Sequence, residues 1–480
     1  MDKLEPRALW KYFEMICGIP HGSTNTRSLG RAIVDLAKSK GLCGRIDRVG
    51  NVIIEVPATP GREASQTIVL QAHLDMVCEK REGTNHNFEK DAIKLVQNGD
   101  WISARDTTLG ADNGIGVAAA LAFMDGHGAP HNPLEILLTA DEEIGLVGAM
   151  KMEPGFFSGK TILNLDGEDE GVFWFGCAGG LNVNIDLSFE RKPARAVFAA
   201  YELRVDGLKG GHSGLDIHKN RGNAIRLLCR TISNLADKTI VELQSVDGGD
   251  KMNAIPREAT AIIFIESGQE ELLEKLRKER LEGFISEFGT DEPDLDLRAS
   301  RVDAASHVLD KTSTDRVIST LCALPHGVQS MMRRVPDTVE TSVNLALVRT
   351  DKDGLFILNS IRSSSDSALK GITCQIKSIA KLSGARLKTD TAYPGWQPNP
   401  DSKLLGLAKD TWRRLYGTEA EKRVIHGGLE CGVLQSKQIG SEIVSFGPNI
   451  RDPHIPDERV SIQSVRRFFD FTTQLVSLHM

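Results

Sequence analysis

Several acidic and histidine residues of this sequence stand where a predicted strand ends. His73 and Asp75 come directly after the apolar run 67–72. Because side chains alternate with a period of two along a strand, this pair projects to one side. A histidine beside a carboxylate is the arrangement of a metal ligand and the group that orients its ring. The pair alone is equally compatible with a strand-end His and Asp that have no catalytic role.

A second acid, Asp112, precedes a predicted buried helix over 114–124 in the stretch Gly-Ala-Asp-Asn-Gly. Asp112 or Asn113 could simply cap that helix. The stretch could also be taken for a nucleotide loop, but the sequence contains neither G-x-G-x-x-G nor G-x-x-x-x-G-K-[ST]. A phosphate-binding role is therefore excluded.

Further acids follow two other strands. The run Asp-Glu-Glu at 141–143 comes directly after an apolar strand, Asp166 ends the stretch Leu-Asn-Leu-Asp, and His454 lies far downstream. Three adjacent carboxylates repel one another, so either a solvated turn or nearby cations must accommodate them. Histidines and carboxylates together supply the mixed ligands suited to Zn or Mn. Two such metals would activate a water molecule, and an acid that is not a ligand would take its proton.

The elements that position these residues alternate between helices and short apolar strands. Helical spacing covers 6–17 and 26–41, and strands are predicted at 51–56, 67–72, 134–139 and 161–165. This alternation predicts a largely parallel sheet with helices on both faces. In such sheets ligands bind beyond the carboxyl ends of the strands, which is where the acids and histidines stand.

The middle of the chain has a different pattern, with two successive units of helix–strand–strand–helix–strand order. This order is typical of a duplicated ferredoxin-like sandwich. After the Pro-rich segment 393–400, the α/β pattern returns. We therefore predict an α/β fold in which a mostly parallel sheet is flanked by helices and an α+β lid of two ferredoxin-like units is inserted. The predicted domains are 1–185 (catalytic, first segment), 186–394 (lid) and 395–480 (catalytic, second segment).

Composition narrows the class of protein. The 480 residues are 40% hydrophobic and 26% charged, with a net charge of −7, which is typical of a globular enzyme and argues against nucleic-acid or anionic-membrane partners. The eight cysteines form no C-x-x-C pair, so we expect reduced thiols. No apolar run approaches the roughly 18 residues of a membrane span, and no secretory signal is recognisable. The sequence predicts a cytoplasmic protein without membrane partners.

Five ordered motifs, H-L-D, G-A-D-N-G, D-E-E-I-G, N-L-D-G and G-P-x(5)-H, resemble those of the two-metal exopeptidases that include carnosinases, glutamate carboxypeptidases and aminoacylases. The stretches G-C-A-G-G, G-G-H-S-G and H-G-G-L-E-C-G extend the resemblance over essentially the whole chain. It implies a zinc-exopeptidase-like fold and two divalent metal ions per active site, with Zn expected and Mn or Co as alternatives.

The resemblance also implies a ligand set. Asp112 would bridge the two metals, with a cis peptide bond following it. His73 and Asp166 would complete one metal site, and Glu143 and His454 the other.

Roles outside the metal sites follow from the same resemblance. Asp75 would hold the imidazole of His73, and Glu142 would be the general base. His212 would reach the scissile carbonyl oxygen to stabilise the oxyanion, and Asn253 matches another lid position. Relatives often carry an Arg on a lid strand to hold the substrate carboxylate, but this chain has Ser-Val-Asn at 342–344. We expect the loop at His426 to contribute instead.

The predicted function is metal-dependent hydrolysis of unblocked dipeptides, with a preference for Xaa-His as a hypothesis. A homodimer through the lid is also expected. One alternative is N-acyl amino-acid hydrolysis at the same centre, and another is a non-catalytic metal-binding relative. Nucleophilic catalysis is disfavoured, because the sequence has no recognisable Ser elbow or Cys signature.

Overall fold

The computed structural model describes residues 3–126, 130–303 and 307–478. The chain divides into two compact units. The first comprises Met1–Cys177, Trp396–Ile425 and Leu429–Met480, and the second comprises Ala178–Gly395 and His426–Gly428. Among the described residues, no helix has both the length and the apolar character needed to cross a membrane.

The first segment of the first unit contains four helices and eight strands. In chain order they are α1 Arg7–Cys17, α2 Arg27–Ser39, β1 Cys43–Ile46, β2 Val52–Val56, β3 Ile68–His73, β4 Leu95–Asn98, β5 Trp101–Ala104, α3 Ala111–Ala122, β6 Leu134–Thr139, α4 Val147–Lys151, β7 Thr161–Asn164 and β8 Val172–Cys177.

The second unit follows. Its elements are β9 Gly179–Ser188, β10 Arg191–Pro193, β11 Phe198–Asp206, β12 Gly211–His212, α5 Ala224–Ala236, β13 Glu242–Gly248, β14 Ala254–Ile255, β15 Ala259–Glu266, α6 Glu270–Phe288, β16 Asp296–Arg301, β17 His307–Leu309, α7 Lys311–Ala323, β18 Gly327–Met331, β19 Val339–Thr350, β20 Gly354–Ser363, α8 Asp366–Leu382 and β21 Arg386–Thr389.

The last segment returns to the first unit. It contains α9 Lys403–Tyr416, β22 Glu421–Ile425, α10 Glu430–Lys437, β23 Glu442–Ser445, β24 Ile450–Arg451, β25 Arg459–Ser461 and α11 Ile462–Val476.

An eight-stranded sheet forms the centre of the first unit, in the order β1-β2-β6-β3-β7-β23-β8-β22. β3 pairs in parallel with both β6 and β7, and β7 pairs in parallel with β23. Every residue of β3, β6 and β7 is buried, as expected for strands covered on both faces. The predicted α/β class with helices around a mostly parallel sheet is confirmed.

Aromatic side chains hold the late segment of the chain on this sheet. The ring of Phe173 on β8 stacks on Phe471 of α11 at 5.2 Å between centroids. Phe446, which directly follows β23, packs edge-on against Phe471 at 4.9 Å. This cluster fixes the beginning of the loop that carries His454 to the core of the first unit.

Two features of the first unit differ from the sequence prediction. The expected helix over 114–124 begins earlier, at Ala111, with Asp112 and Asn113 in non-helical conformations. A separate four-stranded sheet, ordered β24-β25-β5-β4, was not predicted. Its strands are two to four residues long, too short for an apolar period to be recognised.

The second unit contains a nine-stranded sheet with the path β16-β11-β15-β13-β19-β20-β9-β21 and β18 added beside β19. One half is built from β11, β13, β15 and β16 with α5 and α6. The other half uses β9, β19, β20 and β21 with α7 and α8. In each half the strands follow the spatial order 4-1-3-2, so the predicted pair of ferredoxin-like units is confirmed.

The two ferredoxin-like halves are nested, which the sequence prediction did not anticipate. β9 supplies the first strand of the second half, although it precedes the whole first half in the chain. Because β9 pairs with β20 along its full length, residues 179–188 group with the second unit. The units therefore divide at Cys177, before residue 185.

Candidate active site

Five side chains of the first unit converge at one edge of its sheet. His73 is the last residue of β3, Glu143 lies in the turn after β6, and Asp166 follows β7 by two residues. Asp112 opens α3, and His454 lies on the loop before β25. The parallel pairing of β3 with β6 and β7 brings the first three together because parallel strands end at the same edge.

Asp112 faces a histidine with each of its carboxylate oxygens. Oδ1 is 3.0 Å from Nε2 of His73, and Oδ2 is 3.1 Å from Nε2 of His454. Oδ1 of Asp166 lies 3.4 Å from the His73 nitrogen, and Oε1 of Glu143 lies 3.0 Å from the His454 nitrogen. The five side chains thus form two groups of three that share Asp112.

These spacings of 3.0–3.4 Å are close to those between ligands of one divalent metal ion. Two ligands of a tetrahedral Zn, each about 2.0–2.2 Å from it, are about 3.3–3.6 Å apart. Ligand atoms of His73, Asp112 and Glu143 all lie within 4.8 Å of one another. The Asp112–Asn113 peptide bond is cis, as the resemblance implied.

The chemistry of the cluster also requires positive charge. Oε1 of Glu143 and Oδ1 of Asp166 are buried and accept no well-formed hydrogen bond. Burial raises the pKa of Asp166 to about 6, and contacts with Asp112 and Glu143 raise the pKa of His454 to about 11. Within the described ranges, the ion pairs of these carboxylates are all with histidine. Such a buried anionic cluster is suited to bind divalent cations.

Asp75 holds the turn that follows β6. Its Oδ1 accepts a hydrogen bond from the Glu142 N–H at 2.9 Å, and its Oδ2 accepts from the Glu143 N–H at 3.2 Å. Nδ1 of His73 is 2.9 Å from the backbone oxygen of Asp75 but 3.6 Å from its carboxylate. The closest partner of the imidazole is therefore the carbonyl group, to which Nδ1–H donates while Nε2 stays available to a metal. The carboxylate itself positions the backbone of both glutamates.

Glu142 stands in this turn beside Glu143, the predicted ligand. Removal from water raises the pKa of the Glu142 carboxyl well above its usual range; the charge of His73 opposes this rise and that of Asp166 adds to it. A carboxyl group with a raised pKa is suited to receive a proton near neutral pH.

A buried polar network lies behind the strand ends and was not assigned from the sequence. Oε2 of Glu430 accepts hydrogen bonds from Gln71 Nε2 and Thr139 Oγ1, both at 2.6 Å. Oε1 of Gln71 accepts from Asn164 Nδ2 at 2.5 Å. Burial raises the pKa of Glu430 to about 8. All four residues lie inside or beside the motifs described above, but nothing in the sequence distinguishes a buried carboxyl group from a solvated one.

The second unit carries the three residues predicted to contact substrate. Nδ1 of His212 accepts hydrogen bonds from the N–H groups of Gly214 and Leu215, at 3.2 and 3.0 Å. The neutral ring therefore carries its hydrogen on Nε2. His426 is buried, with Nε2 2.7 Å from Ser342 Oγ. Asn253 is exposed and borders, with His212, a cavity of about 660 Å³ in this unit.

Arg362 is a residue that the sequence prediction missed. It lies on β20 directly opposite Ser342 of β19, the position where an arginine was sought. Its Nη1 donates to the Tyr393 hydroxyl at 3.1 Å, and its Nε is buried without a hydrogen-bond partner. Burial, together with the positive charge of Arg362, lowers the pKa of His426 to about 3. A cation is thus present in this part of the second unit, one strand away from the expected place.

The chain is similar to known proteins over nearly its whole length. The family model described as "Peptidase family M20/M25/M40" matches residues 69–477. The cytosol non-specific dipeptidase of Escherichia coli (strain K12) is 39% identical over 476 residues, which is 99% of this chain and 98% of that protein.

Solved structures are similar as well. The crystal structure of aminoacylhistidine dipeptidase from Vibrio alginolyticus matches with a TM-score of 0.94 at 40% identity, covering 99% of this chain and 97% of that one. The aminopeptidase PepT of Bacillus cereus, with a TM-score of 0.57 at 15% identity, shares the fold; 99% of this chain and 98% of that one are covered.

Proposed function

Because this chain belongs to peptidase family M20/M25/M40, we propose that it is a metal-dependent dipeptidase that hydrolyses unblocked dipeptides, Xaa-His dipeptides among them. The observation that carries the proposal is the cluster around Asp112. Each of its carboxylate oxygens faces a different histidine, and each histidine also faces a second acid. The names of the Escherichia coli and Vibrio alginolyticus relatives support the substrate class. The first of these names also supports a cytosolic location.

Two divalent metal ions, with Zn preferred over Mn or Co, would be held by the predicted ligands. His73 and Asp166 would hold one ion, Glu143 and His454 would hold the other, and Asp112 would contribute to both. When bound, the ions supply Lewis-acid polarisation of the peptide carbonyl and activation of water.

Glu142 is the general base of the proposed reaction. Its carboxylate takes the proton of the attacking water and returns it to the leaving amine, for which a raised pKa is favourable. Asp75 keeps Glu142 in place, because its carboxylate accepts a hydrogen bond from the backbone N–H of Glu142. The Nε2–H of His212 donates a hydrogen bond to the oxyanion, since its Nδ1 is already an acceptor.

The second unit acts as the lid and binds the end of the substrate. Arg362 is the proposed anchor of the substrate carboxylate because its Nε is buried without a partner. His426, which is neutral at physiological pH, and Asn253 contribute polar contacts. We further propose a homodimer formed through the lid, which analytical ultracentrifugation of the full chain tests.

The decisive experiment combines metal removal with a substitution. Chelation should abolish hydrolysis of Xaa-His and other dipeptides, and Zn, Mn or Co should restore it. Glu142→Gln should lower kcat by about 10²–10⁴-fold while leaving metal content unchanged. The neighbouring Asp141→Asn is the matched control, because Asp141 accepts from the Thr24 N–H and faces no ligand. Activity that survives chelation, or a fully active Glu142→Gln enzyme, contradicts the proposal.

Two alternatives give different results in the same assay. An N-acyl amino-acid hydrolase would cleave N-acetylated substrates faster than free-amine dipeptides. A non-catalytic metal-binding relative would take up metal and cleave neither. The retention of Glu142 and Asp75 together favours catalysis over the latter.

A further inference from the structure

We propose that Glu458 is a positioning residue of the metal centre, which joins the segment that carries Asp112 to the loop that carries His454. The inference rests on the proposed function, because it concerns the geometry of the same two ligands. Glu458 lies four residues after His454, but neither the ligand set nor the proposed mechanism uses it.

The Glu458 carboxylate accepts four hydrogen bonds from consecutive backbone N–H groups. Oε2 accepts from Leu109 at 2.7 Å and Gly110 at 2.9 Å, and Oε1 accepts from Ala111 at 2.7 Å and Asp112 at 3.2 Å. The side chain is only 2% exposed, so water cannot replace these contacts. The donors include the N–H of the proposed bridging ligand itself.

The backbone around Asp112 explains why an external acceptor is needed. Gly110 has a left-handed φ of 72°, and Asp112 has a ψ of 107°, so the chain is not helical where α3 begins. The N–H groups at the start of a helix have no partner within the helix and require capping. No side chain at the start of α3 caps it locally, and Glu458 supplies the cap from a distant part of the chain.

The other end of the connection is equally fixed. Glu458 is four residues from His454 and directly precedes β25, whose Arg459 pairs with Ser103 of β5. The Glu458 N–H donates to the Ile455 carbonyl at 3.0 Å, which closes the loop on itself. His454 has a φ of 64°, a conformation that such a tight loop must maintain. One carboxylate therefore couples the positions of two ligands that are 342 residues apart.

The test compares Glu458→Gln and Glu458→Asp with Glu135→Gln. Glu135 is a matched control, because its buried carboxylate accepts from the Ser158 and Gly159 N–H groups, away from every proposed ligand. Glutamine keeps one acceptor oxygen but presents amide hydrogens to two N–H donors, and aspartate is one methylene too short. The probe is Co²⁺, added to the metal-free full-length protein in metal buffers, with half-saturation and the visible absorption spectrum recorded.

We expect both Glu458 variants to need about 10–100-fold more Co²⁺ for half-saturation than wild type, with an altered spectrum. Glu135→Gln should lose thermal stability but keep the wild-type spectrum and half-saturation. If the folded Glu458 variants keep the wild-type spectrum and half-saturation, as Glu135→Gln should, the inference is overturned. If Glu458→Gln does not fold, Glu458→Asp provides the same test. A wild-type protein that binds Co²⁺ at both sites but cleaves no dipeptide would refute the proposed function. The effect of the Glu458 variants on Co²⁺ binding could still be measured in that case.

Discussion

Replacing Asp75 by asparagine tests how the turn of Glu142 and Glu143 is held. The Asp75 carboxylate, 1% exposed, accepts from both glutamate N–H groups and from the Ser23 hydroxyl at 2.8 Å. Asparagine has the same shape but offers one acceptor oxygen and one NH₂ group. Whichever way the amide is oriented, one backbone donor faces another donor.

The magnitude follows from these contacts. A hydrogen bond to a charged group contributes about 1.5–3 kcal/mol, and a neutral one about 0.5–1.5 kcal/mol. Asp75→Asn removes one charged bond to the turn and converts the other into a neutral one, and the two losses total about 2.5–4.5 kcal/mol. If the position of Glu142 matters chiefly in the transition state, kcat falls by about 70- to 2,000-fold. KM should change little, because no proposed substrate contact is altered.

Steady-state kinetics on a dipeptide at saturating metal, with metal content measured in parallel, give the result. Ser23→Ala is the matched control: it removes only the hydroxyl contact and leaves both hydrogen bonds from the turn to Asp75, so kcat should stay within about tenfold of wild type. An Asp75→Asn enzyme with wild-type kcat would refute the argument. So would a kcat loss explained entirely by lost metal, because the carboxylate would then act on His73 and not on the turn.

Two further predictions concern the metal and the substrate. In the metal-free protein the pKa of His454 is raised to about 11, so this group is protonated at pH 7 and a metal ion must displace its proton. The apparent affinity for the metal should therefore rise with pH. Calorimetric titrations with metal, in buffers of different ionisation enthalpy, should show net proton release. Equal heats in all buffers would contradict this. Arg362→Ala should raise KM for dipeptides at least tenfold, and Arg362→Lys should raise it less. A wild-type KM in Arg362→Ala would exclude the anchor.

The family and the fold class were predictable because they depend on local patterns. Each of β3, β6 and β7 reads as an apolar run followed by a polar ligand, so the order of the motifs along the chain already indicated an edge of a parallel sheet. The family match confirms that resemblance. His454, by contrast, stands in a loop with no strand or helix period, and only the resemblance identified it.

What could not be predicted depends on contacts between distant segments. β9 belongs to a half of the second unit's sheet whose other strands come more than 150 residues later, and pairing at that distance leaves no local signal. Arg362 lies beside Ser342 only because β19 and β20 pair in one particular register. Glu458 and Glu430 stand in polar motifs typical of solvated loops, and only the fold shows that both are buried.

Carboxyl groups are concentrated in this centre beyond those of the proposed ligands. Asp75, Glu430 and Glu458 are not among the proposed ligands, yet each is buried and holds the backbone or side chains next to one of them. In their ionised forms these groups repel the ligand carboxylates, so bound cations would make the cluster more favourable. Metal should therefore stabilise the fold as well as the reaction, by about 4 kcal/mol at a free concentration one thousand times Kd. Chelation should consequently lower the thermal midpoint together with activity. A midpoint that stays unchanged while activity is lost would show that the metal does not bind the folded protein in preference to the unfolded chain, and would contradict this argument.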